Sequence, residues 1–158
     1  MNDRDPQQPS AGALRAFAYR LLGQREYSVQ ELEQRLRRKW PGLESAALHG
    51  LLQALVEENL LSDSRFAESY VRSQVQRQQG PRKIQANLRA RGVGDPLIAA
   101  ALEAYSDEWT DLAAAWLRRQ HPGDLDFDER GKFYRRLANR GFTHDQAMDA
   151  LNRHVDGA

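Results

Sequence analysis

The sequence contains no cysteine in its 158 residues. This absence excludes disulfides, a thiolate nucleophile and thiolate metal ligands, and it fits a reducing compartment. No apolar run approaches the ~20 residues that a membrane-spanning helix needs. The first residues, Met1 to Pro6, include no apolar stretch of the kind found in secretory signals. We therefore expect a cytoplasmic protein without a membrane segment.

β-Branched residues are also scarce, with six Val, two Ile and two Thr against 21 Ala and 20 Leu. Such a composition favours helix and leaves little material for a sheet. Capping and turn residues divide the chain into about nine helical segments, so the predicted fold class is all-α. Capping boxes at Ser28-x-x-Glu31 and Thr143-x-x-Gln146 open two of them.

Proline and acidic residues predict other helix starts. Pro81 fits the first turn of the fifth helix, and Asp95 is predicted to cap the sixth, with Pro96 following it. Asp107 and Glu108 are expected in the first turn of the seventh helix, where the helix dipole favours acids. The first helix is predicted to run from about Ala13 to Gly23.

An internal repeat relates these helices. The first helix of each group shares a motif: Phe17-Ala18-x-x-Leu21-Leu22, Phe66-Ala67-x-x-Tyr70-Val71 and Leu112-Ala113-x-x-Trp116-Leu117. The second helices match as Leu32/Leu36, Ile84/Leu88 and Phe133/Leu137, and the third as Leu43/Leu48/Leu52, Val93/Ile98/Leu102 and Phe142/Ala147/Leu151. Equivalent positions lie about 50 residues apart, a period typical of helical arrays.

The repeat predicts an elongated array of three tandem three-helix units, since each unit alone buries little apolar surface. Residues 1–12 are predicted to be a flexible N-terminal tail, followed by repeats at 13–61, 62–105 and 106–158. The alternative is a single compact helical bundle in which the pattern arises by chance.

Four sequence phrases stand out along the chain: Leu21-Leu22-Gly23-Gln24-Arg25-Glu26-Tyr27-Ser28-Val29-Gln30-Glu31-Leu32, Leu60-Leu61-Ser62-Asp63-Ser64-Arg65-Phe66-Ala67, Gly80-Pro81-Arg82-Lys83-Ile84, and Arg136-x-x-x-Arg140-Gly141-Phe142-Thr143. They resemble the characteristic phrases of the RecX regulatory family. Asn59 stands where the family commonly has Gly, a small departure because Asn also tolerates the left-handed cap conformation. The phrases occur in order and cover about Leu14 to Val155.

The resemblance implies a non-catalytic regulator with no cofactor. RecX proteins are small all-α proteins of three-helix repeats that bind the RecA filament, largely in its groove. They inhibit the recombinase, ATPase and coprotease activities of RecA, and so modulate DNA repair and the SOS response. We expect RecA as the partner, weak non-specific contact with DNA, and a monomeric chain.

Basic residues are the candidate binding residues. Of 23 Lys and Arg, 20 are Arg, and the stretch from Ser69 to Gly94 holds six bases and no acid. An Arg-rich face would be attracted to the carboxylates and phosphates of a protein–DNA filament. The candidates are Arg25, Arg37, Arg38, Arg72, Arg77, Arg82, Lys83, Arg89, Arg91, Lys132, Arg135, Arg136 and Arg140. The competing interpretation of each is a solvated side chain or a local salt bridge, and Arg140 could cap the carbonyls that end its helix.

Other motifs carry no catalytic or metal-binding chemistry. Asp124-x-Asp126-x-Asp128 begins like a calcium loop, but Glu129 stands where the loop needs Gly and Arg135 where it needs Glu. The four histidines lack ligand spacing, and no phosphate-binding loop or catalytic triad is recognisable. The three tryptophans are expected in the core or at junctions between units, with Trp40 the one that could instead contact a partner.

A RecA-independent nucleic-acid-binding protein is the alternative function. Three-helix units resemble helix-turn-helix domains, whose third helix reads the major groove. Here the third helices carry acids (Glu57, Glu58, Glu103, Asp145 and Asp149), whereas base-reading helices present Arg, Asn or Gln. The basic residues lie on first and second helices, which is compatible with weak phosphate contact.

Overall fold

The computed structural model describes residues 8–155, with the side chain of Val155 excepted. Within this range the chain forms nine α-helices and no strand: α1 Ala11–Gln24, α2 Val29–Lys39, α3 Ser45–Glu57, α4 Asp63–Gln76, α5 Pro81–Ala90, α6 Asp95–Glu103, α7 Trp109–Gln120, α8 Phe127–Asn139 and α9 His144–Val155. The predicted all-α class and nine helices are confirmed. Most of the predicted tail, residues 1–7, lies outside the described residues, and α1 begins two residues earlier than expected.

Local capping explains several of the helix starts. The hydroxyl of Ser28 accepts from Glu31 N and the Glu31 carboxylate accepts from Ser28 N, which completes the predicted capping box of α2. Thr143 and Gln146 make the same reciprocal pair at α9. Ser62 caps α4.

Two predicted helix starts were wrong in detail. Asp107 and Glu108 lie in a turn before α7, which begins at Trp109 without a side-chain cap. This start suits packing, because Trp109 is buried and its ring stacks at 5.9 Å from that of Tyr105. Asp95 is the first residue of α6 rather than its cap, which is Gly94, and its carboxylate instead accepts from Arg89 Nε at 2.8 Å.

Buried side chains form three separate hydrophobic clusters along the chain. The first extends from Leu14 to Leu61, the second from Phe66 to Trp109, and the third from Ala113 to Leu151. Each is enclosed mainly by three consecutive helices. The equivalent positions Leu32, Ile84 and Phe133 are all buried, as the repeat predicted.

The second helices of neighbouring units meet end to end. At the first junction, between the first and second units, Ser28 Oγ donates to Arg91 O at 2.8 Å. At the second junction, Gly80 N donates to Arg140 O at 2.7 Å. Ser28 and Gly80 are the N-caps of α2 and α5. The start of α2 therefore contacts the loop after α5, and the start of α5 contacts the loop after α8. We call this series of α2, α5 and α8 the column of second helices.

Glycine is required in these loops by both conformation and contact. Gly92 has φ +82° and Gly141 has φ +99°, in the left-handed region that L side chains rarely adopt. A Cβ on Gly92 would lie 2.8 Å from Gln30 Cβ, and one on Gly141 would lie 2.6 Å from Lys83 N. The described helices include none long and apolar enough to cross a membrane.

Candidate partner-binding surface

Most of the candidate residues are at the surface. Eleven of the thirteen side chains are exposed, and the remaining two, Arg91 and Arg140, are partly buried. Exposure alone does not distinguish a binding residue from a solvated one, so the charge around each guanidinium is the informative property.

Three of the exposed candidates are neutralised by a local carboxylate. Arg25 lies 3.4 Å from Glu31, and its guanidinium also covers the ring of Tyr27. Arg37 binds Glu33 at 3.0 Å, one helical turn away. Arg89 binds Asp95 at 2.8 Å. These are the local salt bridges of the competing interpretation, and they reduce the charge that the three arginines offer to a partner.

Arg140 is a structural part of the second junction. Its guanidinium donates to Arg77 O at 2.6 Å and Gln78 O at 3.1 Å, the carbonyls of the two residues that follow α4. Its charge lies 5.1 Å from the ring centroid of Trp116. Burial lowers the pKa of Arg140 below its ordinary value. Arg140 therefore binds carbonyls as expected, but these carbonyls belong to the loop that follows α4 rather than to its own helix.

Arg91 occupies the equivalent place in the repeat. Its guanidinium lies 4.8 Å from the ring centroid of Tyr70, the counterpart of Trp116. It donates to Asn87 O at 3.0 Å and lies 3.8 Å from Glu31 across the first junction. Both arginines therefore connect units of the array.

The second junction gathers basic residues without acids. Gly141 O accepts from Arg82 N at 2.9 Å, and Gly141 also lies against Lys83. Together with the Arg140 contacts, this brings Arg77, Arg82, Lys83 and Arg140 to one place, here called the junction cluster. Among residues 8–154, no carboxylate lies within 4.0 Å of a charged nitrogen of these four side chains.

The first junction has the opposite character. Asp63 Oδ1 accepts from Val29 N at 2.8 Å. The Arg65 guanidinium binds Glu26 at 3.1 Å, and Glu31 faces Arg91. The two junctions therefore differ in charge. At the first junction acids balance the basic residues, whereas the second junction is basic.

The other candidates are distributed over separate surfaces. Arg72 lies on the exposed side of α4, while Arg38 lies in the last turn of α2 beside Arg37. Lys132, Arg135 and Arg136 are exposed on α8, where the Arg136 guanidinium lies 5.3 Å from the Phe133 ring. The structure does not bring these residues together with the junction cluster through any described hydrogen bond or ion pair.

Two arginines of structural importance escaped the sequence prediction. Arg65 donates to Asn59 Oδ1 at 2.9 Å and to Asn59 O at 2.8 Å, which supports the left-handed residue at the end of α3. Arg20 lies 5.4 Å from the Phe17 ring. The only sequence signal for the contact between Arg20 and Phe17 was their i, i+3 spacing on one helix.

The tryptophans and the acidic loop have structural roles. Trp116 and Trp109 are buried, and Trp40 is half-buried with its ring 5.3 Å from Phe17 in an edge-on contact. Asp126 is the N-cap of α8, since its Oδ1 accepts from Glu129 N at 2.8 Å. No group of three or more potential ligands in the described part of the chain is arranged to hold a metal ion.

These features define an all-α helical-repeat protein whose distinctive surface is a basic cluster between its second and third units. The model "RecX, second three-helix domain" matches residues 62–102. The regulatory protein RecX of Halorhodospira halophila is 41% identical over 140 residues, covering 87% of this chain and 86% of that protein. RecX of Chromohalobacter salexigens is 44% identical over 136 residues, covering 85% and 88% of the two chains.

The chain belongs to the RecX family of regulatory proteins. The fold has also been seen in crystals. RecX from Lactobacillus salivarius matches with a TM-score of 0.78 and 24% identity, covering 92% of this chain and 96% of that one.

Proposed function

We propose that this protein binds the RecA nucleoprotein filament and inhibits its recombinase, ATPase and coprotease activities, which would place it in the cytoplasm as a modulator of DNA repair and the SOS response. The observation that carries the proposal is the junction cluster, an unneutralised basic surface held by the fold. A filament of protein and DNA presents carboxylates and phosphates, to which such a surface is complementary.

The junction cluster suits binding because its backbone is fixed. The bonds from Gly80 N to Arg140 O and from Arg82 N to Gly141 O tie the second unit to the third. A rigid scaffold reduces the entropy that is lost when charged side chains engage a partner. We propose Arg77, Arg82 and Lys83 as the contacting side chains and Arg140 as the residue that positions them. The remaining candidates, and the division into repeats at 13–61, 62–105 and 106–158, stay predictions.

The test is the rate of ATP hydrolysis by RecA on single-stranded DNA, with this protein added well below one copy per RecA. The native chain is expected to lower the rate. The Arg82→Ala/Lys83→Ala double variant is expected to inhibit at least about tenfold less well, since lost interfacial charge contacts weaken binding by about 1–2 kcal/mol or more. Arg118→Ala/Arg119→Ala removes two exposed charges from α7 and is the matched control.

A chain that leaves RecA hydrolysis unchanged but binds DNA tightly at physiological salt would contradict the proposal. It would favour the alternative, a nucleic-acid-binding protein that acts without RecA. The third helices give that alternative little support, because α3 and α6 contain no Lys or Arg. Equal inhibition by the native chain and the Arg82/Lys83 variant would reject the junction cluster as the contact surface.

A further inference from the structure

Within the described residues, one junction surface of the column has no second helix stacked on it. The loops Arg91-Gly92-Val93 and Arg140-Gly141-Phe142 each receive the start of the preceding second helix. By repeat position, their counterpart in the first unit is Pro41-Gly42-Leu43, which receives no second helix among the described residues. Head-to-tail contacts of this kind are not self-limiting, so an uncovered end could accept another copy of the chain.

The structure places a segment of the chain itself on that surface. The amide of Gln8 bonds twice to the loop: its Nε2 donates to Gly42 O, and its Oε1 accepts from Glu44 N at 3.2 Å. At the second junction, Arg82 N donates to Gly141 O, the counterpart of Gly42 O. Gln8 therefore satisfies the carbonyl that a preceding unit satisfies elsewhere in the array.

The opposite end of the column projects an apolar side chain. α8 begins six residues before Phe133, whereas α2 and α5 begin three residues before Leu32 and Ile84. The additional turn presents Phe127, which is 91% exposed, the most exposed large hydrophobic side chain described. Asp126 and Asp128 flank it at the surface.

A complementary groove lies beside the Gln8 contact. It is lined by Phe17, Arg20, Lys39 and Trp40 and has a volume of about 320 Å³. The contacting rings of Phe17 and Trp40 give the groove an aromatic lining, and the cations of Arg20 and Lys39 beside these rings would face the acids that flank Phe127. The two ends of the array thus match in aromatic character and in charge.

We propose that residues 8–10 form an end cap, which occupies the open junction surface of the first unit and prevents the third unit of a second copy from stacking there. With the cap in place the chain is a monomer. Without it, Phe127 of one copy packs in the groove against the contacting rings of Phe17 and Trp40 of the next. Terminal caps that close the ends of a repeat array are a general requirement for solubility. This inference does not depend on RecA binding.

The test is the solution mass of a truncated chain that begins at Ser10 and so retains the N-cap of α1. The intact chain is expected to sediment at 18.0 kDa at all concentrations. The truncated chain is expected to gain mass with a Kd of about 10–100 μM, as for an interface below standard size. Adding Phe127→Ser to the truncated chain should restore the monomer, and raised salt should weaken association.

Two outcomes would overturn the proposal. One is a truncated chain that keeps its helical circular dichroism and stays monomeric at every concentration. The other is association that Phe127→Ser leaves unchanged. If truncation prevents folding, the Gln8→Ala variant of the full chain decides instead, with Gln34→Ala, an exposed amide on α2, as its control. Gln8→Ala is expected to associate more weakly than the truncated chain, and Gln34→Ala not at all.

Discussion

The Arg140 guanidinium covers the indole of Trp116 at 5.1 Å from its centroid and binds two carbonyl groups of the neighbouring unit. The stacking recurs one repeat earlier, where Arg91 covers Tyr70 at 4.8 Å but donates to Asn87 O in its own unit. A planar cation can stack on an aromatic face while its edge donates to carbonyl oxygens, which an ammonium does less well. The second junction is therefore held by a geometry specific to arginine.

We predict that Arg140→Lys destabilises the chain nearly as much as Arg140→Ala. Each change removes the bidentate contact with Arg77 O and Gln78 O, so each should lower the free energy of unfolding by about 1–3 kcal/mol. The measurement is urea denaturation followed by circular dichroism. Arg136→Ala, an exposed residue over Phe133, is the control and should stay within about 0.5 kcal/mol of the native chain. Full stability in Arg140→Lys would show that charge alone suffices there.

Two glycines are predicted to respond in opposite directions to the same substitution. Gly141→Ala should lower the free energy of unfolding by about 1–3 kcal/mol, because its φ of +99° is strained for alanine and the new Cβ would meet Lys83 N. Gly50→Ala, inside α3 with open space around it, should raise stability by about 0.5–1 kcal/mol. Thermal and urea unfolding both report the sign. A neutral Gly141→Ala would mean that the loop can move away from α5.

The features predictable from the sequence were those set by local spacing. Ser28 and Glu31 lie three residues apart, so their capping box follows from helix geometry alone. Leu32, Ile84 and Phe133 could be aligned because each repeats the same apolar pattern. Such signals fix helices and their buried faces before any tertiary contact is known.

The junction contacts were not predictable in the same way. Asp63 and Val29 are 34 residues apart, and Arg140 and Arg77 are 63 apart, so neither contact leaves a trace in local spacing. The sequence identified the basic stretch that holds Arg77 and Arg82. It did not show which basic residues lie beside an acid in the fold and which lie beside other basic residues. Arg89 and Asp95 show this limit, since the acid that binds Arg89 lies one residue beyond the acid-free window.

A comparison of two N-caps should isolate the contribution of the first junction. Ser28→Ala removes a helix cap, which costs about 1 kcal/mol, and it also leaves Arg91 O without its donor, which adds about 1–3 kcal/mol. Thr143→Ala removes the equivalent capping box of α9, whose bonds are local, and should cost about 1 kcal/mol. Urea midpoints of the two variants measure the difference. Equal losses would show that the bond across the first junction adds nothing to stability.

The stability of the chain in acid is predicted to depend on Asp126. Bonds from the backbone of Glu129 hold the pKa of Asp126 below its ordinary value of 3.8. A carboxylate with a lowered pKa in the folded state stabilises the protein above its unfolded pKa, and this contribution is lost as the pH falls through the folded pKa. Asp126→Asn keeps an oxygen acceptor at the N-cap but does not titrate.

The difference between the native chain and Asp126→Asn should therefore be largest near neutral pH. It should shrink as the pH falls below about 4, the pKa of an unfolded aspartate, and on through the lower pKa of the folded carboxylate. The measurement is the melting temperature of both chains between about pH 6 and pH 3. Asp124→Asn, at an exposed aspartate of the same loop without a described hydrogen bond, is the control. A constant difference across this range would mean that the cap acts through its shape rather than its charge.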